Sequence, residues 1–508
     1  MSLGFGNIAR NDLARVFLFP NGVYKCGEEG QFANCLSVDA LEHSRGDITK
    51  IECPSPIRYG EYDEVGSIPG ELSRMTTTLS GRLSRTDISA FYQLFKKACS
   101  FDLHLHFGLC QQPNNFAQFD KAMVFEDVQV TNFSTDPLIA LQSSDRAVIN
   151  ESIDISIGNF YEIVNLQYSQ RAPLTTVAGP IVAVEVCDLA SCGADCDNGS
   201  DGCQRMFAVT DDGVLYYSAD GGITWSTIII VDAGANQPTA VLDMVCWGES
   251  LVILDDANTL WYINRDDLFD GITTVFGTLL TAFAATGETA TALATSLNMI
   301  GVIVGTGGHI ALFTDLQGTT VLVDAGFTTT EDLLDVYIGA NGTAVAVGEN
   351  GAVIYSKDGV VWYLATPPAA LDLTAVVVKS DKNWIVGTIN GQLWCTDNSG
   401  RTWTRLSYPE SATNTSPIED LDLSTSHVLY MVTGTRLYRS IDGGASWLRE
   451  PNSRNNLPTN TTLTTVAACY WNPNFVLVGG ESVGGTGIII TGVAPSTENS
   501  LFPGGLNN

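Results

Sequence analysis

Basic residues are scarce in this chain: Lys and Arg total 25 against 56 Asp and Glu, a formal net charge of −31. The shortage deepens beyond Pro173, where 11 basic residues face 35 acidic ones, while the residues through Pro173 hold 14 and 21. Such a surface repels nucleic-acid phosphate, which excludes sequence-specific DNA or RNA binding, and it repels other copies of itself except where specific contacts win. Long apolar runs are missing as well. Nothing approaches roughly eighteen consecutive apolar residues, and Ile228-Ile229-Ile230-Val231 has the length of a strand, so no membrane span is expected. The opening residues Met1 to Asn7 lack a basic segment leading into an apolar one, which predicts no secretory signal and synthesis in a cytoplasm. There is no Gly-rich phosphate loop, no Ser nucleophile elbow and no Cys–His pair of recognisable spacing, and no cofactor is expected.

Cysteine, by contrast, is plentiful at twelve, and Cys187, Cys192, Cys196 and Cys203 crowd into one polar loop. Two disulfides stapling that loop, a structural zinc, or plain free thiols all fit four thiols at short spacing, and none of these is catalytic.

The most informative feature is a recurring turn. Ser218-Ala219-Asp220-Gly221-Gly222-Ile223-Thr224-Trp225 returns as Thr396-Asp397-Asn398-Ser399-Gly400-Arg401-Thr402-Trp403 and as Ser440-Ile441-Asp442-Gly443-Gly444-Ala445-Ser446-Trp447. A weaker copy, Ser356-Lys357-Asp358-Gly359-Val360-Val361-Trp362, brings its Trp one place early. The pattern predicts a hairpin in which Asp or Asn bonds local N–H groups, Gly supplies a positive φ and Trp packs under the turn. Before each turn runs a strand of the form Gly-x-apolar-aromatic-x-Ser/Thr. Tracing that strand gives seven copies, ending at Ser218, Asn264, Thr314, Ser356, Thr396, Ser440 and Thr491, spaced 46, 50, 42, 40, 44 and 51 residues. Each interval suits one four-stranded blade, so seven blades are expected. An upstream pair such as Leu334 to Ile338 and Ala344 to Val347 reads as the inner strands of a blade. The last blade shows no outermost strand after Thr491, so closure is expected to borrow one from Val164 to Ala178.

The turn resembles the Asp box of sialidase-like and related β-propellers, and the rhythm of the array is similar to that of the photosystem-assembly propellers. The first resemblance raises the question of glycoside hydrolysis. Sialidases hold the substrate carboxylate with three converging arginines and use a Tyr–Glu nucleophile. Here the repeat region offers Arg205, Arg265, Arg401, Arg405, Arg436, Arg439, Arg449 and Arg454, six of them in the last blades, with no arginine motif opening the first blade. The boxes themselves are expected to stabilise hairpins at the periphery and to catalyse nothing. Trp247, Trp261, Trp384 and Tyr470 are candidate stacking platforms for host glycans, with blade core as the plainer reading because several lie in apolar strands.

Residues 1–165 lack the repeat and read as an antiparallel β domain with one helix. Arg74 to Arg82 is a strand, Thr86-Asp87 caps a helix whose Ile88, Phe91, Tyr92, Phe95 and Ala98 share a face, and Phe101 to Phe107 alternates as a strand with one buried face. His104 and His106 share the other face, expected to be wet; with Cys99 and Cys110 nearby they also nominate a metal site. Met123 to Phe133 and Ala147 to Ile157 follow as strands. The phrases Met75-Thr76-Thr77-Thr78-Leu79-Ser80-Gly81-Arg82-Leu83, Phe119 to Asp127 and Ala147 to Ile155 resemble the major tail tube protein of long-tailed bacteriophages.

That resemblance covers about a third of the chain. It implies a β-sandwich that forms stacked hexameric rings around a genome channel and contacts other virion tail proteins, with the propeller outside the tube. The expected organisation is all-β: a tail-tube-like β-sandwich with one helix over 1–165, a linker or closing strand over 166–178, a seven-bladed propeller over 179–496 and a tail over 497–508. A virion structural protein is the leading expectation, a host-surface glycan or receptor adhesin the second, and a glycoside hydrolase the last.

Overall fold

The computed structural model describes residues 14–20, 50–51, 75–84, 101–107, 121–136, 148–170, 179–187, 205–248, 250–264, 268, 274–280, 283, 287–295, 301–313, 329–424, 428–450, 461–469, 472–482 and 484–494. The expected helix over 86–98 and most of the loop carrying Cys192, Cys196 and Cys203 lie outside these residues. The chain divides into two compact units, one built on Met1–Asn165 and the other on Leu166–Ala494.

The first unit holds β1 (Ala14–Pro20), β2 (Lys50–Ile51), β3 (Met75–Ser84), β4 (Phe101–Phe107), β5 (Lys121–Asp136), β6 (Val148–Ile157) and β7 (Asn159–Val164). They pair antiparallel in the order β1-β4-β5-β6-β3-β2, with β7 also on β5. The long β5 serves two partners in turn: residues up to Val128 pair with β4, and those from Gln129 pair with β6. At the changeover Asp127 takes φ 49°, and its N–H donates to Asp102 Oδ1 at 2.8 Å. Leu103, Met123, Val124, Phe125, Ile155 and Ile163 form the buried interior of this unit.

One expectation fails here. His104 does not face water; it is fully buried, as are its neighbours Leu103 and Asp102. Three consecutive residues of β4 are buried, so both faces of the strand are covered there and alternation in its sequence marks polarity and not exposure.

The second unit begins with β8 (Gln167–Gln170) and continues as seven sheets. Blade 1 comprises β9 (Ile181–Cys187), β10 (Arg205–Thr210), β11 (Val214–Ser218) and β12 (Ser226–Ile229). Blade 2 comprises β13 (Val241–Trp247), β14 (Ser250–Asp255), β15 (Thr259–Asn264) and β16 (Val275–Leu279). Blade 3 shows three strands among the described residues, β17 (Ala290–Thr295), β18 (Gly301–Gly305) and β19 (Ile310–Phe313). Blade 4 is β20 (Leu333–Ile338), β21 (Ala344–Gly348), β22 (Val353–Ser356) and β23 (Trp362–Leu364), and blade 5 is β24 (Leu373–Val378), β25 (Trp384–Thr388), β26 (Leu393–Thr396) and β27 (Thr404–Leu406). Blade 6 has β28 (Asp420–Leu423), β29 (Leu429–Thr433), β30 (Arg436–Ser440) and β31 (Leu448–Glu450); blade 7 has β32 (Thr461–Ala468), β33 (Phe475–Ser482) and β34 (Gly487–Val493).

The fourth strand of blade 7 is β8, which pairs antiparallel with β34 from Gln170↔Ile490 to Gln167↔Val493. A segment that precedes the first blade therefore completes the last one. The first strands of successive blades touch in sequence and β32 returns to β9, which makes the unit a closed β-propeller.

The second strands explain where the core sits. Gly301–Gly305, Ala344–Gly348, Trp384–Thr388 and Leu429–Thr433 are buried at every residue. Each lies between two neighbouring sheets, so apolar residues run continuously instead of alternating. The clusters span adjacent blades: Phe207 and Leu215 of blade 1 meet Leu251, Ile253 and Trp261 of blade 2.

Candidate functional site

The predicted box residues sit together at four hairpins, each between the third and fourth strand of its sheet. In the first, Ser218 Oγ donates to Asp220 Oδ1 (2.9 Å) and accepts from Gly222 N (3.0 Å). Asp220 also accepts from the N–H groups of Ile223 and Thr224 and from Thr224 Oγ1 (2.6 Å), while Trp225 Nε1 donates to Gly222 O at 3.1 Å. The hydroxyl bonds to the box side chain and to the Gly N–H recur at Thr396, Asn398 and Gly400, where Asn398 Nδ2 instead donates to Thr402 Oγ1, and at Ser440, Asp442, Gly444 and Trp447. Trp403 departs, donating to Thr366 O in the preceding blade. In the weaker copy Asp358 takes the N–H groups of Val360 and Val361, and Trp362 Nε1 reaches Gly359 O, so an early Trp still closes the turn. Gly222, Gly359, Gly400 and Gly444 all have φ between 72° and 94°.

Environment separates these carboxyls. Partial burial raises the Asp220 carboxyl, but hydrogen bonds from Thr224, Ser218 and Ile223 outweigh it and hold the group below the ordinary range. Backbone N–H groups of Val361 and Val360 do the same for Asp358. Burial wins at Asp442, whose carboxyl is raised despite Ser446 and Ser440. All these acceptors are engaged with their own turn, which is a structural use.

The central cavity, about 360 Å³, is lined by the first strands of the blades. Its lining residues include Glu185, Asp243, Asp335, Asp420 and Asp422 and, among the described residues, no Lys, Arg or His. Sequence reasoning did not single these acids out. Each reaches across to the next blade: Asp243 Oδ2 accepts from Leu293 N (2.9 Å), Asp335 Oδ2 from Val376 N (2.7 Å), Asp420 Oδ2 from Val466 N (2.8 Å) and Asp422 Oδ2 from Ala468 N (2.7 Å). Glu185 Oε1 accepts from Cys246 N at 3.4 Å.

The remaining junctions use threonine. Thr291, Thr374 and Thr464 each occupy a β-bulge on a first strand and donate to Leu333 O (2.6 Å), Ile418 O (2.6 Å) and Ile181 O (2.7 Å). All seven blade junctions thus carry a side-chain staple, acidic from blades 1, 2, 4 and 6 and hydroxylic from blades 3, 5 and 7. Burial lifts the carboxyls of Asp243 and Asp422 to about 7 and that of Asp420 to about 6, against the N–H groups that pull them down. Asp335 is raised well above the ordinary range by burial and by the neighbouring Asp420.

Of the arginines considered for carboxylate binding, Arg265 and Arg454 lie outside the described residues and three others are paired within blade 6 or its flanking loop. Arg436 and Arg449 both pair with Glu410, at 2.7 and 2.6 Å, and buried Arg439 faces buried Glu450 at 3.4 Å. Trp247, Trp261 and Trp384 are buried in the blades and offer no stacking face; Tyr470 lies outside the described residues. Among the described residues no group of three or more His, Cys, Asp or Glu side chains is placed to hold a metal. Cys246, Cys395 and Cys469 are disulfide-bonded, positions outside the crowded run Cys187 to Cys203 and drawn from the chain's twelve cysteines. Their even total in the chain was the available signal.

The chain contains a β-propeller domain. Residues 336–488 match the DUF6242 beta propeller domain. No curated protein matches the sequence. Similar solved structures include YCF48 from Cyanidioschyzon merolae, 15% identical, covering 64% of this chain and 99% of that one with a TM-score of 0.47. YCF48 bound to D1 peptide is 15% identical over 66% of this chain and 98% of that one, with a TM-score of 0.49. U3-55K is 10% identical over 64% and 98%, with a TM-score of 0.46. The propeller assignment rests on the sheet topology above.

Proposed function

We propose that this chain is a virion structural subunit in which residues 1–165 assemble into the stacked rings of a tail tube and the propeller is carried outside as a non-catalytic domain. The observation that supports this division is closure within one chain: β8 supplies the last strand of blade 7, so the ring needs no strand from another copy. Assembly is then left to the first unit. The cavity acids support the non-catalytic part, because each spends carboxylate oxygens on backbone N–H groups of the next blade. Disulfides at Cys246, Cys395 and Cys469 suit a protein that works outside a reducing cell interior.

Electron microscopy of the purified full chain tests the proposal. Hollow tubes are expected, and deleting residues 1–165 abolishes them whereas deleting the propeller does not. A full chain that stays monomeric, or turnover of glycoside substrates by it, overturns the reading.

A further inference from the structure

The rim where blades 1 and 2 adjoin is apolar. Ile223 is 65% exposed, Ile229 60%, Phe276 50% and Leu279 52%. Their outermost strands, Ser226–Ile229 and Val275–Leu279, contain no charged residue. Exposed sheet edges are ordinarily guarded by charge, proline or a covering segment; the corresponding strands of blades 5 and 6 carry Arg405 and Arg449, and that of blade 4, Trp362–Leu364, is itself uncharged but follows a turn holding the cation Lys357. The two edges are stitched together by a parallel bridge between Asp232 and Val275, which places Ile229 and Phe276 within a few residues of one junction. Phe276 is also braced, stacking on Tyr262 with ring centroids 5.2 Å apart.

Charge selects the occupant. Between Ile181 and Leu364, the span of blades 1 to 4, the sequence holds 24 acidic residues and three basic ones, Arg205, Arg265 and Lys357, whereas from Ala365 to Ala494 there are 10 acidic and 8 basic. Blades 1 to 4 are therefore the acidic half of the ring. At the rim itself Asp220 and Asp232 flank the apolar residues. Hydrogen bonds from Asn236 and Gly234 hold Asp232 below the ordinary carboxylate range, as those from Thr224, Ser218 and Ile223 hold Asp220 against its partial burial, so both are ionised at neutral pH. A second copy meeting this face with the same face brings acid against acid. Nucleic acid and anionic lipid are repelled on the same ground. What fits an apolar strand edge set in an acidic surround is an extended polypeptide with apolar residues between Lys or Arg, adding to the edge by backbone pairing.

We propose that the rim of blades 1 and 2, centred on Ile229 and Phe276, docks a cationic extended segment of another protein. The experiment uses the full chain and two synthetic peptides of alternating Val and Thr, one with paired Lys at each end and the other with paired Glu, followed by fluorescence anisotropy. The Lys peptide is expected to bind and the Glu peptide not. Affinity falls by about tenfold or more in the double variant Ile229→Ser with Phe276→Ser, and by a similar factor at high salt. An unchanged circular dichroism melting curve shows that the double variant folds, and Leu364→Ser, on the separate apolar edge of blade 4, is expected to leave binding intact. Failure of the Lys peptide to bind, equal binding of the Glu peptide, or equal affinity in the rim variant overturns the proposal. So does sedimentation showing that the rim variant breaks a dimer of the chain, which would make a second copy the occupant.

Discussion

The four box carboxyl and amide side chains do one job in different surroundings, and that difference sets what each is worth. Asp442 is fully buried and takes Ser446 N, Ser446 Oγ and Ser440 Oγ, all within 2.8 Å. Replacing it by Ala strands these donors away from water, where an unsatisfied group costs about 1–3 kcal/mol. Asp358 lies at the surface, and solvent replaces its carboxylate. Asp442→Ala is therefore expected to lower the unfolding midpoint substantially and Asp358→Ala only slightly, in paired denaturant titrations. A reversed order would mean that burial does not govern the value of these turns. The residue types were plain in the sequence because the Asp or Asn of each box finds its partners within four positions, even where, as at Trp403, the ring reaches further.

Elements were legible to the extent that their partners are near in sequence. The third strands follow the Gly-x-apolar-aromatic rhythm only loosely, with Asn258 in place of Gly in blade 2 and no aromatic residue in Gly487–Val493, and the missing fourth strand of the last blade pointed to a donor before the first. The staples were not legible: Asp243 and Leu293 are 50 residues apart, Asp335 and Val376 41. An Asp in an apolar strand looks the same whether it faces water or another blade. The closing strand is also anchored by packing. The ring of Tyr168 lies over Gly492, where a Cβ would come within 2.6 Å, and its hydroxyl is raised by burial and by Glu450 at the edge of blade 6. Tyr168 is half-buried, so Tyr168→Ala is expected to cost less than the ~3–5 kcal/mol of a fully buried aromatic truncation, and to raise hydrogen exchange selectively along Gly487–Val493. Uniform exchange across the propeller would contradict a local role for this strand.

The whole molecule has an unusual dependence on acidity. Asp243, Asp420 and Asp422 have folded-state values of about 7, 6 and 7 against an ordinary 3.8. Values raised on folding mean that the native state binds more protons than the unfolded chain. Their stabilisation is complete below the ordinary value and is lost as pH rises through about 6 to 7. The −31 net charge acts in the same sense, since protonation relieves self-repulsion. The melting temperature is therefore expected to be higher at pH 5 than at pH 8, with the slope reduced in a variant carrying Asp243→Asn, Asp420→Asn and Asp422→Asn. A flat or rising profile would show these groups ionised in the fold.

Two kinds of fastening hold the wheel, and only one of them answers to acid. The aspartates guard the joints after blades 2, 4 and 6, while hydroxyls guard those after 3, 5 and 7. Alkali loosens the former and leaves the latter untouched. The joints after blades 2 and 6 keep a hydroxyl tie as well, Thr295 Oγ1 to Cys246 O and Ser424 Oγ to Cys469 O, which leaves the joint after blade 4, fastened by Asp335, the one most open to alkali.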